Sequence, residues 1–180
     1  MNMSPTGEAE VFLGAPSILT APQQTRLEQW VAWLEGESFR VRRLNRDCHG
    51  EDPWHTLTEV LCQADGVVLL GFRQLDARRS VWRPGTEEEA PSSTWWTSPW
   101  LQLEAGIAVG LSLPVLVVPE DGVTEGVFDP AGWTGQVTGT ALHTPGAGAG
   151  PWSDAVRRSR LLRADGGTRE RRSHVADGGQ

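Results

Sequence analysis

The 180-residue chain contains no lysine and no tyrosine, only two cysteines, and no apolar run of bilayer-spanning length. The missing apolar run excludes a transmembrane helix, and no signal peptide opens the chain, so the cytoplasm is the expected compartment. Cys48 and Cys62 have no ligand spacing and cannot form a metal or disulfide framework, which makes buried free thiols the default. Also absent are Gly-x-Gly-x-x-Gly, a Walker loop and Gly-x-Ser-x-Gly, so the usual phosphate cradles and the serine-hydrolase elbow are not expected. All 16 basic residues are arginine, and the formal charge of −7 is unevenly spread. Residues 151–180 hold seven arginines against four acids, leaving nine arginines and nineteen acids in the body. An acidic body argues against a nucleic-acid partner, and the basic tail is expected to be solvated. Nine tryptophans are well above ordinary usage, and some are expected at a pocket, because an indole offers both stacking area and a donor.

The densest signal runs from Thr94 to Val118. Ser98 is a good N-cap, Pro99 suits the first helical position, and Gly110 ends the pattern, so a helix is expected over about 99–110. Helical spacing places Trp100, Leu103, Ile107, Ala108 and Leu111 on one apolar stripe, with Glu104 inside it. Leu101 holds the third helical position, so Glu104 is not a capping-box acid. No arginine lies within four residues, which excludes a local helical ion pair. Carboxylates on a buried face are costly to keep, and such groups cluster at functional sites. The plain alternative is a pairing with a distant arginine, or a helix exposed on this face.

Strand and helix patterns alternate along the chain. Strands are expected over Glu10–Gly14, Phe39–Leu44, Gly66–Gly71 and Leu113–Val118, with a weaker fifth over Gln136–Leu142. Helices are expected from Thr20 to Gly36, from Pro53 to Cys62, over the central segment and from Trp152 to Leu162. Trp30, Trp33 and Trp54 read as core or helix-packing residues, and Asp65 as a turn-capping acid. Residues 72–97 lack periodicity and read as a lid or binding loop. Asp47, His49, Glu51 and Asp52 crowd one loop without any metal-ligand pattern, so no metal is expected. The alternation predicts a flavodoxin-like three-layer α/β sandwich with a four- or five-stranded parallel sheet. Its domain spans residues 10–145, preceded by a disordered 1–9 and followed by a hinge and closing helix at 146–163 and a disordered basic tail at 164–180. Ligands in such sheets bind beyond the carboxyl ends of the strands, which points to Gly14–Ser17, Arg46–Asp47, Gly71–Arg73, Pro119–Gly122 and the start of the central helix.

Ser98-Pro-Trp100-Leu-Gln-Leu-Glu104 resembles the Ser-x-Trp-x-x-x-Glu segment of TIR domains. Glu104-Ala-Gly-Ile-Ala, together with Val11-Phe-Leu-Gly-Ala-Pro16 and Ala64-Asp-Gly-Val-Val-Leu-Leu70, resembles nucleoside 2-deoxyribosyltransferases. The likeness covers about residues 10–130; it departs in the long 72–97 segment and in the missing tyrosines. Both families imply N-glycosidic chemistry on a nucleoside, a nucleotide or NAD, with NAD a substrate and no cofactor required. Glu104 would be the catalytic carboxylate. Gly14 and Ala15 would allow close approach beside Pro16 and Ser17; on the residues alone, Asp47 is a candidate for a sugar hydroxyl and Arg73 or Arg83 for a phosphate, each otherwise a solvated side chain. Phe72, Trp95, Trp96 and Trp100 would supply apolar or stacking surface, and Ser98 a donor. The alternative the resemblance allows is a non-catalytic nucleotide-sensing or signalling module; TIR domains also imply self-assembly into a homo-oligomer. No membrane partner is expected.

Overall fold

Five parallel strands form the central sheet, and the order in which they lie determines where a ligand can bind. The computed structural model describes residues 7–44 and 52–176, with side chains through residue 164. In chain order, β1 (Ala9–Gly14), α1 (Ala21–Gly36), β2 (Phe39–Arg42), α2 (Pro53–Gln63) and β3 (Gly66–Gly71) come first. Four two-residue strands follow: β4 (Leu75–Asp76), β5 (Val81–Trp82), β6 (Ala90–Pro91) and β7 (Trp95–Trp96). The chain continues through α3 (Pro99–Gly110), β8 (Val115–Pro119), β9 (Val137–Gly139) and α4 (Gly150–Ala176). The main sheet runs β2-β1-β3-β8-β9 with every pairing parallel. Counting only its own strands, the order is 2-1-3-4-5, the flavodoxin-like arrangement, with its topological switch point between β1 and β3.

Period-2 alternation divides each strand between two cores. Val68, Leu70, Leu116 and Val118 face α1 and α4, where Leu27, Trp30, Leu34, Trp152 and Val156 meet them. Val67, Leu69, Val115 and Val117 face the opposite layer, with Leu57 and Leu61 of α2 and Leu101, Ala105 and Ala108 of α3. All six residues of β3 are buried, as befits a central parallel strand covered on both faces. The buried indoles still satisfy their donors: Trp30 Nε1 donates to the Leu142 carbonyl at 3.0 Å and Trp152 Nε1 to the Pro114 carbonyl at 3.1 Å.

Helix starts follow the sequence closely. Thr20 and Gln23 form a reciprocal capping box on α1, Asp52 accepts from the Trp54 and His55 amides, and Ser98 accepts from the Trp100 amide. Asp65 is structural, at the amino edge of the sheet. Its Oδ2 accepts from the Glu10 amide at 2.9 Å, and Arg163 Nε stands 3.9 Å from Oδ1.

Several local expectations change. The segment after β3 is an antiparallel ribbon in which β4 pairs β7 and β5 pairs β6. Two-residue strands leave no periodicity to read, which is why it resembled a loop. Cys62 is exposed on α2, not buried, because Leu57 and Leu61 already fill that helix's inner face. The α4 helix continues past Leu162, where the apolar pattern stops, because propagating a helix needs only one bond per added residue. Among the described residues no helix is long and apolar enough to cross a membrane.

Candidate active site

Among the described residues, Glu104 is the most buried acidic side chain near the carboxyl ends of the strands. The buried stripe of α3 is Leu101, Glu104, Ala105 and Ala108, and Glu104 is only 2% exposed. The expected stripe is thereby corrected. Leu103 is 43% exposed and Leu111 lies at the surface, while Trp100 and Ile107 are half-buried. The helix is apolar nearly all round, so spacing alone could not set its rotation. The carboxylate sits centrally in the buried face, not at its margin.

Its neighbours fix its position in the fold. A Cβ built on Gly14 would collide with Glu104 Oε2 and lie 2.7 Å from Leu69 Cδ2 and 3.1 Å from Leu101 Cδ2. Gly14 ends β1 and is in register with Leu69 of β3. The carboxylate therefore lies over the carboxyl end of the β1–β3 pair, at the switch point where doubly wound sheets leave a crevice. Only glycine admits so close an approach. Gly14→Ala is expected to push the Glu104 carboxylate out of place and to cost about 1–3 kcal/mol from overpacking. Urea unfolding measures the stability loss, and an activity loss larger than unfolding explains would mark the displaced carboxylate.

One turn before Glu104, Trp100 stacks on Trp54 of α2, with ring centroids 5.0 Å apart. Trp54 is 52% exposed, so the expected packing role holds only through this stack and its outer surface faces solvent. Periodicity missed this, because Trp54 stands at the helix start, ahead of the inward-facing Leu57.

The other expected site residues fall into separate places. Ala15 is half-buried, Pro16 buried and Ser17 exposed on the exit from β1. Phe72 is fully buried in the core beneath α1 and α4, on the face opposite Glu104. It is one residue past Gly71, where strand alternation turns its ring to that side. Arg73 is held at the exit of β8: its amide donates to Glu120 Oε2 at 2.8 Å and its Nε to the Asp121 carbonyl at 2.7 Å. The Trp95 ring carries the Arg73 guanidinium at 5.2 Å and that of Arg78 at 4.5 Å, and the Trp95 amide donates to the Gly122 carbonyl. Trp96 stacks on Trp82 at 6.2 Å. Arg73 and Trp95 thus anchor the ribbon to the loop after β8 and Trp96 packs within the ribbon, whereas Glu104, Gly14, Ser98 and Trp100 gather around β1 and α3. Asp47, with Cys48, His49 and Glu51, lies outside the described residues. Among the described residues no group of three or more His, Cys, Asp or Glu is placed to hold a metal.

Two supporting residues were not singled out individually by sequence: Gln102 carried no signal, and Glu120 lay only within the strand-end stretch Pro119–Gly122. Gln102 donates to the Glu125 carbonyl at 3.0 Å and accepts from the Val127 amide at 2.9 Å, tying α3 to the loop that carries Phe128. Glu120 Oε2 accepts from Gln23 Nε2 at 2.8 Å as well as from Arg73, joining α1 to the ends of β3 and β8. In the ribbon, the Arg78 side chain and then its amide donate to Asp76, holding that carboxyl at about 2, below its ordinary 3.8. A depressed folded-state pKa gives a contribution present above pH ~4 and lost as pH falls through about 2. A carbon-detected NMR titration is expected to place the Asp76 midpoint near 2 in the native chain and at the ordinary carboxylate value in Arg78→Ala.

The sheet order and its covered faces define a flavodoxin-like α/β protein with a buried carboxylate at the switch point. No protein-family model and no curated protein matches the chain. Among solved structures, a CMP N-glycosidase of Clostridium botulinum is similar at 13% identity and a TM-score of 0.47, covering 84% of this chain and 98% of that one. A β-glucosidase of Erythrobacter marinus is similar at 13% identity and a TM-score of 0.37, covering 68% of this chain and 21% of that one.

Proposed function

We propose that the chain cleaves the base–sugar bond of a nucleoside, a nucleotide or NAD, with Glu104 as the catalytic carboxylate. The observation that supports this reading is the Glu104 carboxylate packed over Gly14 at the carboxyl end of β1. A sugar seated in the β1–β3 crevice would present its anomeric carbon to that group. The carboxylate would attack C1′, or stabilise the oxocarbenium ion, as the C1′–N bond breaks and its electron pair leaves with the base. Water, or an acceptor base, would then take the sugar and release the carboxylate. Trp100, one turn toward the crevice mouth, would border the departing ring. The test is incubation with NAD and with a panel of nucleosides and their monophosphates, followed by chromatography for free base. Release of base from at least one member is expected.

A second reading is a non-catalytic nucleotide-sensing or assembly module. It is favoured by the exposed apolar side chains Leu103, Val109 and Leu111 at α3 and its end, and by exposed Trp54 on α2. Under this reading calorimetry would register nucleotide binding while prolonged incubation yields no product, and sedimentation would show a self-associated chain.

A further inference from the structure

The carboxyl edge of the sheet holds a cavity away from Glu104. It is an open hollow of about 390 Å³ at the carboxyl ends of β8 and β9, bordered by Phe128, Trp133, Leu142, Glu120, Asp121 and Thr140. That volume lies within the range of small-molecule sites. Its aromatic walls are already fixed. Phe128, fully buried, backs the cavity from beneath and packs on Gly71, where a Cβ would lie 2.6 Å from Cε1 of its ring. Trp133 Nε1 donates to the Val127 carbonyl at 3.0 Å, and its benzo ring covers Gly139 so closely that any Cβ there would overlap it. Trp133 is nevertheless only half-buried, so part of the held ring still faces outward.

Charge selects among the rings that could enter. Among the described residues, the ionisable side chains lining the cavity are Glu120 and Asp121, with no arginine or histidine. Glu120 is fixed by its bonds from Gln23 and Arg73. Nearby Arg73 is occupied by the Asp121 carbonyl and the Trp95 ring, and His143, itself exposed, stands 3.9 Å from Asp121. We propose that this cavity is a second small-molecule site, which takes a flat uncharged or cationic ring and rejects an anionic one. It lies two strand positions along the sheet from the Gly14–Leu69 pair, roughly 10 Å at ordinary strand spacing. An occupant does not reach the bond at Glu104, and the proposal stands whether or not Glu104 is catalytic.

Benzamidine, benzamide and benzoate carry one ring with charge +1, 0 and −1, and form the test set. Each is titrated into the full chain labelled with ¹⁵N, reading the Trp133 indole N–H, which Trp133→Phe assigns by its disappearance. Benzamidine and benzamide are expected to shift this signal saturably, with benzoate at least about tenfold weaker. Ala141→Phe, which fills the cavity from its rim, is expected to abolish the shift while the indole signals of Trp30 and Trp152 stay in place. Asp121→Asn is expected to narrow the gap between benzamidine and benzoate. The proposal is overturned if no probe shifts Trp133 saturably, if benzoate binds as tightly as benzamidine, or if the shift survives Ala141→Phe in a folded chain.

Discussion

Glu104→Gln is expected to lower base release from the best substrate by at least about a thousandfold while leaving the chain folded. The amide matches the carboxylate in shape, so the contacts with Gly14, Leu69 and Leu101 remain filled. It lacks the negative charge, and so can neither attack an anomeric carbon nor stabilise positive charge on the sugar. Removing a transition-state interaction lowers kcat and kcat/KM together, whereas a lost binding contact would chiefly raise KM. The measurement is initial rate by chromatography on wild type, Glu104→Gln and Glu104→Ala, with circular dichroism as the folding control. Turnover within tenfold of wild type in the glutamine variant would sink the proposed mechanism. The alanine variant alone could mislead, because it also leaves a cavity beneath α3.

The largest effect on stability is expected from Trp30→Ala. Trp30 is completely buried between the sheet and the chain that follows β9, and packs edge-on against Trp33 with centroids 5.4 Å apart. Truncating a core aromatic costs about 3–5 kcal/mol. The Leu142 carbonyl also loses its indole donor, a further loss of about 1 kcal/mol or more. Against a typical total of about 5–15 kcal/mol, one substitution removes a large share. The thermal midpoint is expected to fall by on the order of 10 °C for a chain of this size. Trp30→Phe keeps most of the apolar volume but not the hydrogen bond, and is expected to lose clearly less. Urea denaturation of the three proteins separates the terms. A loss below about 1 kcal/mol in the alanine variant would show that this core repacks without its anchor.

The two predictions differ in how far their residues could be read from sequence. Trp30 repeats with Leu27 and Leu34 at helical spacing, and the structure buries all three. Glu104 stood out as an acid in an apolar helix, and the structure places it deeper than the pattern implied. On α3 the pattern chose the neighbouring stripe through Leu103 and Leu111, because Trp100, Leu101, Leu103, Ile107 and Val109 leave no polar face to set the rotation. Packing against Leu69 and the Gly14 backbone set it instead. Phe72 and Trp54 show the same limit: each was placed by its neighbours in sequence, while strand alternation turned one into the far core and a helix start left the other at the surface.

By itself the sequence determined the parallel α/β class, the bounds of β3 and, to within one residue, of β1, the caps at Thr20, Asp52 and Ser98, and an acid in an apolar helix. These features are local: periods of 2 and 3.6, prolines at first helical positions, and side chains that bond amides two or three residues away. Only the tertiary structure decided that Glu104 lies over Gly14 at the switch point, that residues 75–96 form a ribbon, and that Glu120 and Gln102 hold the surrounding loops. Each of those depends on groups distant in the chain meeting at one place. Strand order, the phase of a helix and a gap the width of a missing Cβ are set by packing, and a one-dimensional pattern carries no record of them.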